Sequence, residues 1–111
     1  MNNSELLQEV FIENIAVTNK SKESLSKNVL EVGELIFGRL QDGNKIMSCG
    51  NGGSAADSQH FASELINRFE VDRRELAALA LTTDSSTITS IANDYSYDDI
   101  FAKQISGLGK K

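Results

Sequence analysis

His60 and Glu64 stand four residues apart, a spacing that a helix brings onto one face. An imidazole beside a carboxylate can relay a proton, and the same two donors can fill two corners of a tetrahedral zinc site. The spacing equally makes an ordinary surface ion pair, and residue type alone does not separate the two. Just upstream lies Cys49-Gly50-Asn51-Gly52-Gly53-Ser54, a glycine-rich turn between a short apolar run and an amphipathic helix. Such a turn presents backbone amides at a helix N-terminus, which suits an anion or a sugar hydroxyl. Gly52 and Gly53 let a ligand approach the backbone, while Asn51 and Ser54 add polar side chains. No Lys-Ser or Lys-Thr pair follows, so this is not a Walker loop, and the glycines fall as Gly-x-Gly-Gly rather than Gly-x-Gly-x-x-Gly. A second polar pair, Asn93-Asp94, follows the next apolar run and reads either as a helix stop or as a second ligand contact. The chain has one histidine. Any acid–base partner of Glu64 other than His60 must be another residue type or come from outside the chain.

The organising segment is residues 45–69: strand, glycine turn, helix. Lys45-Ile46-Met47-Ser48 is short, and the glycines that bound it favour a strand. Ahead of it, residues 4–19 carry Leu7, Phe11 and Ile15 at helical spacing, with Leu6, Val10 and Val17 beside them. So wide a stripe suits a helix packed on two sides or in an oligomer. Residues 20–24 are polar, and Ser21 is expected to cap a second helix that carries Leu25, Val29, Val32, Ile36 and Leu40. Asp42-Gly43-Asn44 should end it, with Gly43 in the left-handed conformation. Beyond the His60 helix, residues 71–75 read as a charged surface connection. Residues 76–81 read as a parallel strand covered on both faces. Asp84 is expected to cap a helix holding Ile88, Ile91 and Ala92, and Asn93-Asp94-Tyr95 to break it. Ser96 with Asp99 should open a last helix bearing Ile100, Phe101 and Ile105.

Strands alternating with helices predict an α/β fold with a parallel sheet. Residues 1–41 form an N-terminal helical segment and residues 42–111 the α/β part. The glycine turn then lies at the carboxyl end of a strand, where open α/β sheets collect ligands. Two strands make a poor sheet with open edges, so an incomplete domain is expected.

Composition narrows the function. At 111 residues the chain is about one small domain, and its net charge of −5 argues against a nucleic-acid interface. The single cysteine, Cys49, excludes an internal disulfide, fits a reducing cytosol, and is expected to be a buried, inert thiol. No basic n-region with an apolar run marks a signal peptide, and no stretch is apolar for the length of a membrane span. A soluble cytoplasmic protein is expected.

Taken together, these pieces resemble the sugar isomerase (SIS) domain family, in its phosphoheptose isomerase branch. The similarity rests on Ser48-Cys49-Gly50-Asn51-Gly52-Gly53-Ser54-Ala55-Ala56-Asp57, Gln59-His60-Phe61-Ala62, Glu64-Leu65, Ala80-Leu81-Thr82-Thr83-Asp84 and Asn93-Asp94-Tyr95. It implies the first part of a flavodoxin-like, three-layer α/β/α domain behind oligomerisation helices. The implied reaction converts sedoheptulose 7-phosphate to D-glycero-D-manno-heptose 7-phosphate through an enediol, toward ADP-heptose and the lipopolysaccharide core. Asn51, Gly52, Gly53 and Ser54 match the substrate turn, and Asn93 and Asp94 a second substrate segment. Glu64 matches the catalytic, substrate-contacting glutamate, and His60 and Glu64 match zinc ligands, one zinc per subunit. The resemblance further implies a homotetramer with active sites at subunit boundaries. Family members continue into a serine-rich phosphate loop and a late helix with a glutamine and a histidine, none of which this sequence contains. These 111 residues are therefore expected not to isomerise alone. Two other readings share the motifs: a non-catalytic SIS regulator that binds the bacterial replication initiator, and an inactive remnant. Glu64 favours the isomerase, because the regulator lacks an acid there.

Overall fold

The computed structural model describes residues 1–110. Residues 1–37 form one compact unit, and a second begins at Gly38.

From Asn3 onward the first unit is helix, part of α1 (Asn3–Gln41). Asn2 starts it: its Oδ1 accepts from the Ser4 and Glu5 amides, each at 3.0 Å, while Glu5 Oε2 accepts from the Asn2 amide at 2.8 Å. The two residues cap each other reciprocally. The break expected at residues 20–24 does not exist, and Ser21 caps nothing. Neither glycine nor proline interrupts that stretch. Instead the hydroxyls of Thr18, Ser24 and Ser26 donate to the carbonyls of Asn14, Lys20 and Lys22, four residues back. Serines satisfied in this way stay inside a helix. Leu7, Phe11, Ile15, Leu25 and Val29 are all exposed.

In the second unit, α1 ends as its sequence predicts. Gly43 takes φ 78°, the Asn44 amide donates to Arg39 at 2.9 Å, and the Gly43 amide donates to Leu40 at 3.2 Å. Strand β1 (Ile46–Ser48) pairs in parallel with β2 (Ala78–Ala80), with Ile46 opposite Ala78 and Ser48 opposite Ala80. Helix α2 (Gly53–Ile66) makes the crossover. The core is Leu40, Ala62, Ala80, Leu81, Ile91 and Ile100, with Leu81 only 1% exposed. Strand β2 is shorter than residues 76–81, because the Leu76 amide turns to the Leu65 carbonyl at the end of α2. It is also covered on one face, not two. Ala80 is buried, whereas Leu79, on the opposite face, stays 39% exposed. Among the described residues each strand has a single neighbour.

The charged connection does more than span the surface. Arg73 reaches back to the end of α2, its Nη2 donating to the Glu64 carbonyl at 2.7 Å and its Nη1 to the Leu65 carbonyl at 3.0 Å. These are two of the carbonyls that a helix end leaves unpaired. Past β2, Asp84 caps α3 (Ser85–Asp94), accepting from the Thr87 amide at 3.0 Å. That amide holds the Asp84 carboxyl below its ordinary value. Ser96 caps only a single 3-10 turn, Tyr97–Asp99, and α4 (Ala102–Leu108) follows it. Ile100 fills the core between them. Buried Gln104 secures α4 by donating to the Leu81 and Ile100 carbonyls at 3.0 and 2.9 Å. Among the described residues, no helix is long and apolar enough to cross a membrane.

Candidate functional site

The glycine turn begins where β1 stops. A Cβ on Gly50 would lie 2.6 Å from Ser54 Cβ and 2.8 Å from the Ser54 carbonyl carbon and oxygen. Only glycine lets the first turn of α2 sit that close to the strand end. Gly52 then takes φ 57°, the left-handed conformation that residues with a Cβ resist. The turn folds partly onto itself. The Ser54 amide donates to the Asn51 carbonyl at 3.0 Å, and the Ala55 and Ala56 amides donate to the Gly52 carbonyl at 3.1 and 3.3 Å. The amides of Gly50, Asn51, Gly52 and Gly53 have no acceptor among the described residues and remain for a ligand. Apart from adjoining backbone, no atom lies within 4 Å of a Cβ built on Gly52 or Gly53. The turn is therefore open at these two free donors.

Three serines fix it from behind. Ser48 Oγ donates to the Ser58 carbonyl, and Ser58 Oγ to the Ser54 carbonyl, each at 2.8 Å. Ser58 is buried, and its hydroxyl satisfies the helix from within. Gln59 Nε2 donates to Thr82 Oγ1 at 3.3 Å, tying α2 to the residues that follow β2. A further contact reaches the turn from 46 positions away. The Tyr97 hydroxyl donates to Asn51 Oδ1 at 2.7 Å. Nothing in the sequence pairs these residues, since neither periodicity nor cap chemistry links a glycine turn to a distant 3-10 turn.

His60 and Glu64 do share a face of α2. His60 Nε2 lies 2.9 Å from Glu64 Oε1, with the side chains 74% and 36% exposed. They flank an open depression with Asp57, Phe61 and Phe69. His60 begins about 10 Å along the helix axis from Gly53, from seven residues at about 1.5 Å each. The turn and the pair thus lie along one helix without touching. Their donor set, one imidazole and one carboxylate, suits zinc chemistry. No group of three or more His, Cys, Asp or Glu side chains that could hold a metal occurs among the described residues. The pair supplies two ligands, and closure needs others.

Asn93 and Asp94 form the last turn of α3 rather than a break after it. Both are exposed, and Asn93 Nδ2 donates to Asp94 Oδ1 at 3.0 Å. Among the described residues, no hydrogen bond joins them to the turn or to Glu64. Cys49 is exposed, against the expectation of a buried thiol. The strand ends one residue earlier, at Ser48, and leaves Cys49 outside the core.

Comparison with known proteins bears on this arrangement. The SIS domain family matches residues 11–110. The chain is 52% identical over 110 residues to a phosphoheptose isomerase of Alkalilimnicola ehrlichii, covering 99% of this chain and 56% of the relative. It is 53% identical over 106 residues to one of Shewanella sediminis, covering 96% and 54%. Among solved structures, the phosphoheptose isomerase of Neisseria gonorrhoeae superposes with a TM-score of 0.89 at 41% identity, over 98% of this chain and 56% of that one. The enzyme from Francisella tularensis gives 0.94 at 35% identity, over 100% and 58%. The chain spans about half the length of the curated relatives it matches.

Proposed function

The chain belongs to the SIS domain family, and from that premise we propose that it supplies the glycine turn and the Glu64 carboxylate of a sugar-phosphate isomerase. The reaction is the conversion of sedoheptulose 7-phosphate to D-glycero-D-manno-heptose 7-phosphate, on the way to the heptose of the lipopolysaccharide core. The observation that carries this reading is the pairing of two free, open amides at Gly52 and Gly53 with Glu64 on the same helix. That arrangement occurs in a chain about half identical to enzymes named for this isomerisation.

Ketose-to-aldose isomerisation removes a proton from C1, passes through an enediol, and returns a proton to C2, while the oxygens exchange hydroxyl and carbonyl character. One carboxylate can carry the carbon-bound proton. Glu64 has Oε1 against His60, which leaves Oε2 for that task and fixes the plane of the carboxylate. The Gly52 and Gly53 amides, with Asn51 and Ser54, hold the sugar oxygens at the strand end, and Asn93 and Asp94 contribute a second contact. The main phosphate clamp comes from outside these residues. His60 and Glu64 would hold a zinc ion together with ligands beyond the described residues. Such an ion, when bound, polarises a carbonyl and stabilises charge on its oxygen.

Helix α1 joins copies of the chain into a homotetramer on this reading, and its exposed apolar residues support that. The working compartment is the cytoplasm, where a lone exposed cysteine stays reduced.

A chimera tests the proposal: residues 1–110 of this chain followed by the remainder of the Alkalilimnicola relative. It should isomerise sedoheptulose 7-phosphate, and Glu64→Gln within it should lower turnover about 10²- to 10⁴-fold, the usual contribution of a positioned acid–base group. A folded chimera without turnover, or a Glu64→Gln form that keeps full turnover, would defeat the reading. The first of these results would favour a non-catalytic binding role, and the second would place the proton transfer on a group other than Glu64.

A further inference from the structure

The amide of Asn51 is the one polar side chain of the turn that is tied to a distant element. The Tyr97 hydroxyl donates to Asn51 Oδ1 at 2.7 Å. Tyr97 opens the 3-10 turn Tyr97–Asp99, which Ser96 caps by accepting from the Asp98 amide at 3.2 Å. Ile100, immediately after that turn, is 3% exposed, and the Gln104 amide donates to its carbonyl. The tyrosine therefore projects from an anchored base. Its ring is itself 57% exposed, so burial of apolar surface does not explain the placement of its hydroxyl.

A side-chain amide has one accepting and one donating end. With Oδ1 occupied by the tyrosine, the Nδ2 end is left to donate, beside the open amides of Gly52 and Gly53. We propose that Tyr97 is a positioning residue for the glycine turn: its hydroxyl holds the Asn51 side chain so that Nδ2 donates to the oxygens of a bound sugar phosphate. The turn then adds a side-chain donor to its free backbone amides for an oxygen-rich ligand. Without the tyrosine, the Asn51 amide rotates freely and presents either end. The proposal rests on the reading of this turn as a sugar-phosphate site, and it adds a residue that acts through Asn51 rather than on the substrate.

The test uses the 111-residue chain for NMR and the chimera for a double-substitution cycle. The Asn51 side-chain amide signals are assigned by their loss in Asn51→Ala. Tyr97→Phe should shift them and narrow the separation between the two protons, while Asn51→Asp, which keeps the acceptor, should leave the Tyr97 ring signals in place. Titration of the chimera described above with sedoheptulose 7-phosphate should give a Kd raised about threefold to tenfold by Tyr97→Phe, the effect of one neutral hydrogen bond. Tyr97→Phe should add nothing further in an Asn51→Ala background. Unmoved Asn51 signals in Tyr97→Phe, or an equal loss of binding with and without Asn51, would overturn the proposal. If Tyr97→Phe moves the Asn51 signals but the chimera, which carries the remainder of the relative, binds no sugar phosphate, the tyrosine anchor stands and the sugar-phosphate reading of the turn falls.

Discussion

Three glycines of the turn carry different duties, and alanine at each should report which. At Gly50 the added Cβ meets the Ser54 backbone at 2.8 Å and its Cβ at 2.6 Å, so strand end and helix must move apart. Overpacking of this kind costs about 1–3 kcal/mol. At Gly52 there is room, but φ 57° disfavours a side chain by about 1–2 kcal/mol. At Gly53 there is room and no positive φ, and alanine in a helix outranks glycine by up to about 1 kcal/mol. Urea unfolding should therefore place Gly50→Ala and Gly52→Ala below the native chain and Gly53→Ala at or above it. Gly53→Ala should still weaken sugar-phosphate binding, because its methyl group stands in the space beside a free amide. A Gly50→Ala chain with native stability would mean that the close approach to Ser54 is not required. These duties were legible from the spacing of the glycines only as a class. Which glycine is packed, which is left-handed and which is open depends on how α2 sits against the end of β1.

Local chemistry fixes the ends of elements, and there the sequence was a good guide. Asp84 and Gly43 act as cap and stop because each needs only neighbours within a turn. The Asp84 carboxyl is held below its ordinary value of 3.8, chiefly by the Thr87 amide. A carboxylate whose folded pKa is depressed adds stability that is complete above the unfolded value and is lost as pH falls through the folded one. Thermal unfolding followed downward from pH 6 should show the native chain losing its α3 cap below about pH 4. Asp84→Asn keeps an accepting oxygen and should show a smaller acid-dependent fall; an identical profile would deny the cap its role. The same locality explains the main misreading. A serine-rich stretch can cap a new helix or bond back inside an old one, and residues 20–24 contain nothing that forces the first. Likewise, the apolar run 76–81 says that a strand will be covered, not how many layers are there to cover it. Arg73 was missed because a charged loop looks the same whether it is solvated or closing a helix end. Its replacement by Ala should fray α2 near Glu64, raising amide exchange at residues 64–67 while leaving that of β1 unchanged.

At the scale of the whole chain the unsolved demand is the apolar surface of α1. Leu7, Phe11 and Ile15 are exposed by 55%, 59% and 59%, and Val29 and Phe37 by 66% and 62%. A helix of this length draws most of its stability from tertiary packing of its apolar side rather than from propensity. The wide stripe was visible in the sequence because helical spacing is a local property. Its partner was not, because a partner leaves no mark on the residues that await it. A second copy of the same chain satisfies the demand most simply, since every copy brings the same stripe and closed symmetric assemblies reuse one surface. Sedimentation at tens of micromolar should find the chain associated, and its unfolding temperature should rise with concentration, as mass action requires. Phe11→Glu together with Ile15→Glu places charge on the stripe and leaves the sequence of β1, α2 and the glycine turn unchanged. That variant should sediment as a monomer and lose helical circular dichroism, while the Gly52 and Gly53 amide signals keep their native positions. A native chain that is monomeric at those concentrations with α1 fully helical would show that the helix stands without a partner and that the stripe has another purpose.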